Sequence, residues 1–226
     1  MTDTRGASAP SILRESMEKF ADNIELVILF TIFAVLLLGI SSVYNNTLGK
    51  NMKKLVIFAI FFSFSAFSCS DLLDTDVKVL NENQLKNLCE YDNHTILVVN
   101  TASKCGFTYQ YEQLESLQRR FKDKKFTVLG FPSRNFLGQE FNDEEKVSEF
   151  CKSTFDVSFP LFSITNVKNS TNHPFYKKLY KLTSDRPSWN FHKYLITPEG
   201  NIKSFSHRID PEDDLIVSAI QDSINL

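Results

Sequence analysis

Two kinds of apolar patterning divide the chain near residue 70. Before that point apolar residues run in unbroken blocks; after it they fall into short runs and spaced stripes. Thr95-Ile96-Leu97-Val98-Val99-Asn100 is a β-branched apolar run and predicts a strand buried on both faces. Tyr111 to Phe121 sets Leu114, Leu117 and Phe121 at helical spacing. Phe126 to Phe131 repeats the strand pattern and stops at Pro132. Asn142 and Glu145 predict a capping box opening a helix whose stripe is Val147, Phe150 and Cys151. Phe159 to Phe162, which contains Pro160, predicts a short edge strand. Pro174 to Leu182 predicts a helix, and Lys193 to Ile196 with Ile202 to Phe205 a hairpin across Pro198-Glu199-Gly200-Asn201. Asp210-Pro211-Glu212 predicts the cap of a last helix with Leu215, Ile216, Ala219 and Ile220 facing inward. A parallel crossover half joined to an antiparallel half gives an α/β class, a three-layer α/β/α domain over residues 70–226.

The blocks before residue 70 read as membrane segments. Leu26 to Ile40 is broken only by Thr31 and Gly39 and shows no polar face. Extended to Tyr44 it makes roughly 28 Å of helix, enough for a bilayer core. This predicts an N-terminal extension, residues 1–51, with a transmembrane helix at about 24–44. Residues 52–69 form a second element: Met52-Lys53-Lys54, an apolar stretch from Leu55 to Phe67, then Ser68-Cys69-Ser70-Asp71. A positive start, a short apolar run and small exit residues describe a signal peptide or a second anchor. Ala66-Phe67-Ser68 before Cys69 also resembles a bacterial lipoprotein cleavage site, which would make Cys69 the lipid-bearing residue. The expectation is a membrane-anchored or exported protein with its globular domain outside the cytoplasm.

Composition narrows the chemistry. A net charge of −2 over 226 residues offers no electrostatic footprint for nucleic acid. The four cysteines, Cys69, Cys89, Cys105 and Cys151, include no C-x-x-C pair, and no H-x-x-x-H occurs, so neither a dithiol motif nor a protein-built metal site is expected. Cys89, in step with Leu85 and Leu88, reads as core. Cys105 lies just past the strand ending at Asn100 and just before a helix. In open α/β sheets chemistry collects there, and a helix N-terminus favours a thiolate. Packing, half a disulfide, metal ligation and nucleophilic attack all remain open on position alone.

Three motifs carry a resemblance. Asn100-Thr101-Ala102-Ser103-Lys104-Cys105-Gly106, Gly130-Phe131-Pro132-Ser133-Arg134-Asn135-Phe136 with Gln139-Glu140, and Trp189-Asn190-Phe191-His192-Lys193-Tyr194-Leu195 resemble three signature stretches of the glutathione peroxidases, in family order. The match runs from about residue 76 to the C-terminus. It implies a thioredoxin-like fold, with Cys105 as peroxidatic cysteine and Trp189 and Asn190 as two further members of a catalytic tetrad. The fourth, normally glutamine, falls on Asn135, with Gln139 nearby as a substitute. Cys151 falls where thioredoxin-dependent members carry a resolving cysteine. The short segment between Phe162 and Trp189 resembles compact, usually monomeric members.

The implied activity is reduction of hydrogen peroxide or organic and lipid hydroperoxides. It would pass through a cysteine sulfenic acid recycled by thioredoxin or glutathione, with no cofactor beyond that thiol co-substrate. Only the thiolate attacks the O–O bond, and Lys104 is a candidate substrate-binding cation beside it. A thiol-based peroxide sensor or redox relay would use the same residues. A membrane-anchored thiol oxidoreductase would need a second cysteine where Thr108 and Tyr109 stand.

Overall fold

A computed structural model describes residues 69–168 and 173–225. The expected transmembrane helix and all of the 52–69 element except Cys69 lie outside the described residues. Among the described residues no helix is long and apolar enough to cross a membrane.

The elements run β1 (Asp76–Lys78), β2 (Leu85–Asn87), a 3-10 turn (Leu88–Tyr91), β3 (Thr95–Thr101), α1 (Gln110–Arg120), β4 (Phe126–Pro132), α2 (Glu144–Phe155), α3 (Pro174–Thr183), β5 (Lys193–Ile196), β6 (Ile202–Phe205) and α4 (Asp214–Ile224). The main sheet has the order β4-β3-β5-β6, and β1 and β2 form a separate hairpin. β3 pairs in parallel with β4 and antiparallel with β5, which pairs antiparallel with β6.

The apolar run of β3 does not alternate because both of its faces are covered. Leu97 and Val99 join Leu114 and Leu117 of α1, Val147 and Cys151 of α2, and Ile216 and Ile220 of α4 in one core. Ile96 and Val98 point the other way, into a core with Phe175, Tyr176 and Leu179 of α3 and with Leu72, Leu73 and Val77. Each such side chain contributes about 1.5–3 kcal/mol by leaving water. These two cores make the three layers.

Some local expectations shift. α2 is capped by Asp143, not Asn142: its carboxylate accepts the backbone N–H of Glu145 at 3.0 Å. Phe159 to Phe162 forms only isolated bridges, Leu161 with Gly130 and Phe162 with Val79. Pro160 has no N–H to give, so its carbonyl accepts from Gly130 while Phe162 donates to the Gly130 carbonyl, both at 2.9 Å. That crossing leaves little room beside Gly130. A Cβ on Gly130 would stand 2.5 Å from Leu161 Cδ2 and 3.1 Å from Phe159 Cε2. α4 starts at Asp214, with Asp213 as cap, and its buried stripe is Ile216, Val217 and Ile220. Leu215, expected inside, is 57% exposed in the first turn. The β1–β2 hairpin was not anticipated, because strands of three residues are too short to show a period.

Candidate active site

The chain leaves β3 at Thr101 and makes a series of tight turns before α1 begins. Thr108 organises them. Its Oγ1 accepts the N–H of Cys105 at 3.0 Å and stands 2.9 Å from the Ala102 carbonyl and 2.8 Å from that of Cys105. Its backbone N–H donates to the Cys105 carbonyl at 3.1 Å. The turn leaves Cys105 partly exposed at the edge of the first core. The N–H of Phe107 faces its sulfur at 3.5 Å, a donor that a sulfur acceptor can use.

Two loops meet this turn. The Lys104 N–H donates to the Gln139 carbonyl at 2.9 Å. The Gln139 side chain in turn accepts from Asn190 Nδ2 at 2.9 Å. Asn190 is fully buried. Asn100 holds the loop carrying it: its Nδ2 donates to the Trp189 carbonyl at 3.0 Å, and its own carbonyl accepts the Phe191 N–H at 2.6 Å. Phe191 adopts φ +65°, a left-handed conformation that costs a large side chain about 1–2 kcal/mol. Burial compensates: Phe191 is fully buried and packs edge-on against Tyr111 at 5.4 Å. This kink sends Phe191 into the core while Asn190 faces Gln139.

Trp189 stays partly exposed, its ring 5.5 Å from Phe136 and 6.4 Å from His207. His207, which the sequence reading passed over, also meets Phe107 edge-on at 5.1 Å. Burial, then the Arg208 and Lys193 charges, hold its pKa below the ordinary histidine value. No periodic pattern marks it, since it lies in the loop between β6 and α4.

Asn135 is anchored through its amide oxygen. Its Oδ1 accepts the backbone N–H groups of Val167 at 2.7 Å and Lys168 at 3.2 Å, and the Ser133 hydroxyl at 3.1 Å. That carbonyl is occupied in tying two loops together, whereas Gln139 is the amide joined to Asn190. The exposed Lys104 lies with its ammonium 3.9 Å from the centre of the Phe141 ring, a cation–π contact.

Cys151 is 1% exposed on α2, and burial pushes its thiol up to about 12. Cys69 and Cys89 form a disulfide, Cα atoms 5.7 Å apart. The Asn87 side chain caps the 3-10 turn by accepting the Cys89 N–H, which sets Cys89 at the partly exposed start of that turn. Cys89, expected in a core, is partly exposed and lies outside both core clusters. Among the described residues no cluster of His, Cys, Asp or Glu could hold a metal ion.

A profile of the glutathione peroxidase family matches residues 72–180. The thioredoxin/glutathione peroxidase BtuE of Escherichia coli is 35% identical over 175 residues, 66% of this chain and 95% of the relative. The chain belongs to the glutathione peroxidase family. The glutathione peroxidase homolog BsaA of Halalkalibacterium halodurans is 43% identical over 121 residues, 52% of this chain and 77% of the relative. The crystal structure of Trgpx in apo form superposes with a TM-score of 0.54 at 33% identity, covering 69% of this chain and 97% of that one. A thioredoxin-family thiol:disulfide interchange protein from Chlorobium tepidum, 10% identical with a TM-score of 0.50, shares the thioredoxin-like fold over 66% of this chain and 92% of that one. The protein is thus a glutathione peroxidase-family thiol peroxidase on a thioredoxin-like α/β fold.

Proposed function

We propose that Cys105 reduces hydrogen peroxide and organic or lipid hydroperoxides. The observation that carries this reading is the joining of three loops at one cysteine: the Phe107 N–H faces its sulfur, and the Lys104–Gln139–Asn190 chain of hydrogen bonds runs beside it. The Cys105 thiolate attacks one peroxide oxygen. An S–O bond forms, the O–O bond breaks, and the leaving oxygen departs as alcohol or water after taking a proton. Gln139, Asn190 and Trp189 are the donors for that developing charge, with Gln139 in the fourth position in place of Asn135. The sulfenic acid then condenses with a second thiol, releasing water, and a further thiol reduces the disulfide.

For the reductant, the Escherichia coli relative is named for both thioredoxin and glutathione. Cys151 serves as the resolving thiol once α2 opens around it; as folded it is buried and protonated. That burial favours a second reading, in which glutathione attacks the sulfenic acid directly. Peroxide consumption by the full chain, supplied separately with thioredoxin and with glutathione, tests both. Cys105→Ser abolishes turnover with either. Normal turnover in that variant sinks the assignment.

We also propose that the domain acts as a monomer outside the cytoplasm. The apolar blocks at 26–40 and 55–67 support export, and the Cys69–Cys89 bond supports an oxidising compartment. Mass mapping of Cys69 tests this: a lipid there excludes the disulfide and anchors the chain at that residue instead.

A further inference from the structure

Among the described residues, two large apolar side chains sit at positive φ: Phe191 at +65° and Leu137 at +54°. Phe191 recovers its cost by burial. Leu137 does not, because it is 80% exposed. The next residue, Gly138, is also left-handed at φ +63°. Glycine or asparagine would occupy position 137 with less strain, and the described fold gains no core packing from leucine there.

The loop that holds Leu137 is the one that builds the site. Phe136, just before it, packs on Trp189. Gln139, two residues on, binds Asn190 with its side chain and the Lys104 N–H with its carbonyl. Turn hydrogen bonds from Gly138 to the Arg134 carbonyl and from Gln139 to the Phe136 carbonyl fix the backbone on either side. Leu137 is thereby held out into solvent on the same loop as Gln139. Phe107 and Trp189, both partly exposed, stand on the loops that carry Cys105 and Asn190. An exposed leucine alone means little. Leu137 is instead kept in an unfavourable conformation on the loop whose Gln139 meets the Cys105 turn, where its side chain is available for a contact outside the folded chain.

We infer that Leu137 is a specificity-determining residue that receives the hydrocarbon portion of an organic hydroperoxide, favouring such substrates over hydrogen peroxide. The inference rests on the reading of Cys105 as the peroxide-reducing residue. Hydrogen peroxide has no apolar part to bury, so the contact discriminates through the carbon chain alone.

The test is stopped-flow oxidation of Cys105 in the full chain, without reductant, by linoleic acid hydroperoxide and by hydrogen peroxide. The quantity read is the ratio of the two second-order rate constants. Leu137→Asn, which suits the left-handed backbone but removes the apolar group, lowers the ratio about tenfold, the scale of a lost apolar substrate contact. Leu137→Met keeps it. An unchanged ratio in Leu137→Asn overturns the inference, including the case in which both rates fall together and the residue merely shapes the loop. A change confined to recycling by thioredoxin overturns it too, assigning Leu137 to a protein partner. If the wild-type chain reacts with neither peroxide, the peroxidase reading itself fails and this inference with it.

Discussion

Gln139 and Asn135 carry the same amide on side chains differing by one methylene, yet they do different work. Asn135 accepts two backbone N–H groups from the 167–168 segment. Removing it leaves those donors unpaired, so Asn135→Ala lowers stability by about 1–3 kcal/mol in denaturant titration. Gln139→Ala takes the partner from Asn190 and slows Cys105 oxidation by about 10²-fold in stopped flow, the scale for losing one preorganised donor. The reverse pattern returns the fourth position to Asn135. Lys193 offers a pH test. It is fully buried, its Nζ donates to the Ile209 carbonyl at 2.7 Å, and burial lowers its pKa to about 7 despite the Asp210 charge nearby. The unfolded chain holds its lysine proton up to about pH 10.4. Between those values the unfolded state binds more protons than the folded one, so this group makes stability rise from pH 7 to about pH 10. Urea titrations at pH 7 and 9.5 show that rise in the wild type and a flatter response in Lys193→Met.

Helix α2 carries Cys151, the proposed resolving partner of Cys105. Cys151 is packed in the first core, on the same side of the sheet as the Cys105 turn. Disulfide formation needs Cα atoms within about 7 Å and a reactive thiolate, so a protonated thiol locked in a helix is a slow partner. Asp143 caps that helix, and Asp156 ends it in a left-handed turn where Lys152 and Arg119 pair with its carboxylate. Weakening the cap therefore speeds resolution. Asp143→Ala costs about 1 kcal/mol of stability and raises the rate at which oxidised Cys105 links to Cys151, read by quenched-flow mass mapping. A rate unchanged by the cap, with turnover intact, points to direct attack by glutathione.

Across the whole domain, the Cys69–Cys89 bond ties the segment before β1 to the 3-10 turn before β3. Closing a loop with a sequence separation of 20 restricts the unfolded chain by about 3 kcal/mol in the loop-entropy account. Reduction, or Cys89→Ser, lowers stability by up to that amount in denaturant titration, while the rate of Cys105 oxidation is retained because the bond touches none of the three loops at the site. Loss of peroxide reactivity on reducing this bond alone would instead make it part of the catalytic cycle.

The elements that bury the most were the most legible. β3, β4, α1 and the β5–β6 hairpin follow from runs and stripes long enough to show a period, and burial of those runs sets the three layers. The three motifs likewise put Cys105, Trp189 and Asn190 forward as candidates, because a motif is a matter of local residue order. Other features depend on which groups meet across the fold. Gly130 yields its Cβ to a crossing by Phe159 and Leu161, about 30 residues away by chain count. Cys69 and Cys89 find each other through the turn that Asn87 caps. The proposal of Gln139 over Asn135 rests on a hydrogen bond to Asn190, 51 positions on. Sequence order specified the local propensities and apolar faces; pairing between distant polar groups was decided only by the packed chain, because a hydrogen bond depends on distances of tenths of an ångström that no residue pattern encodes.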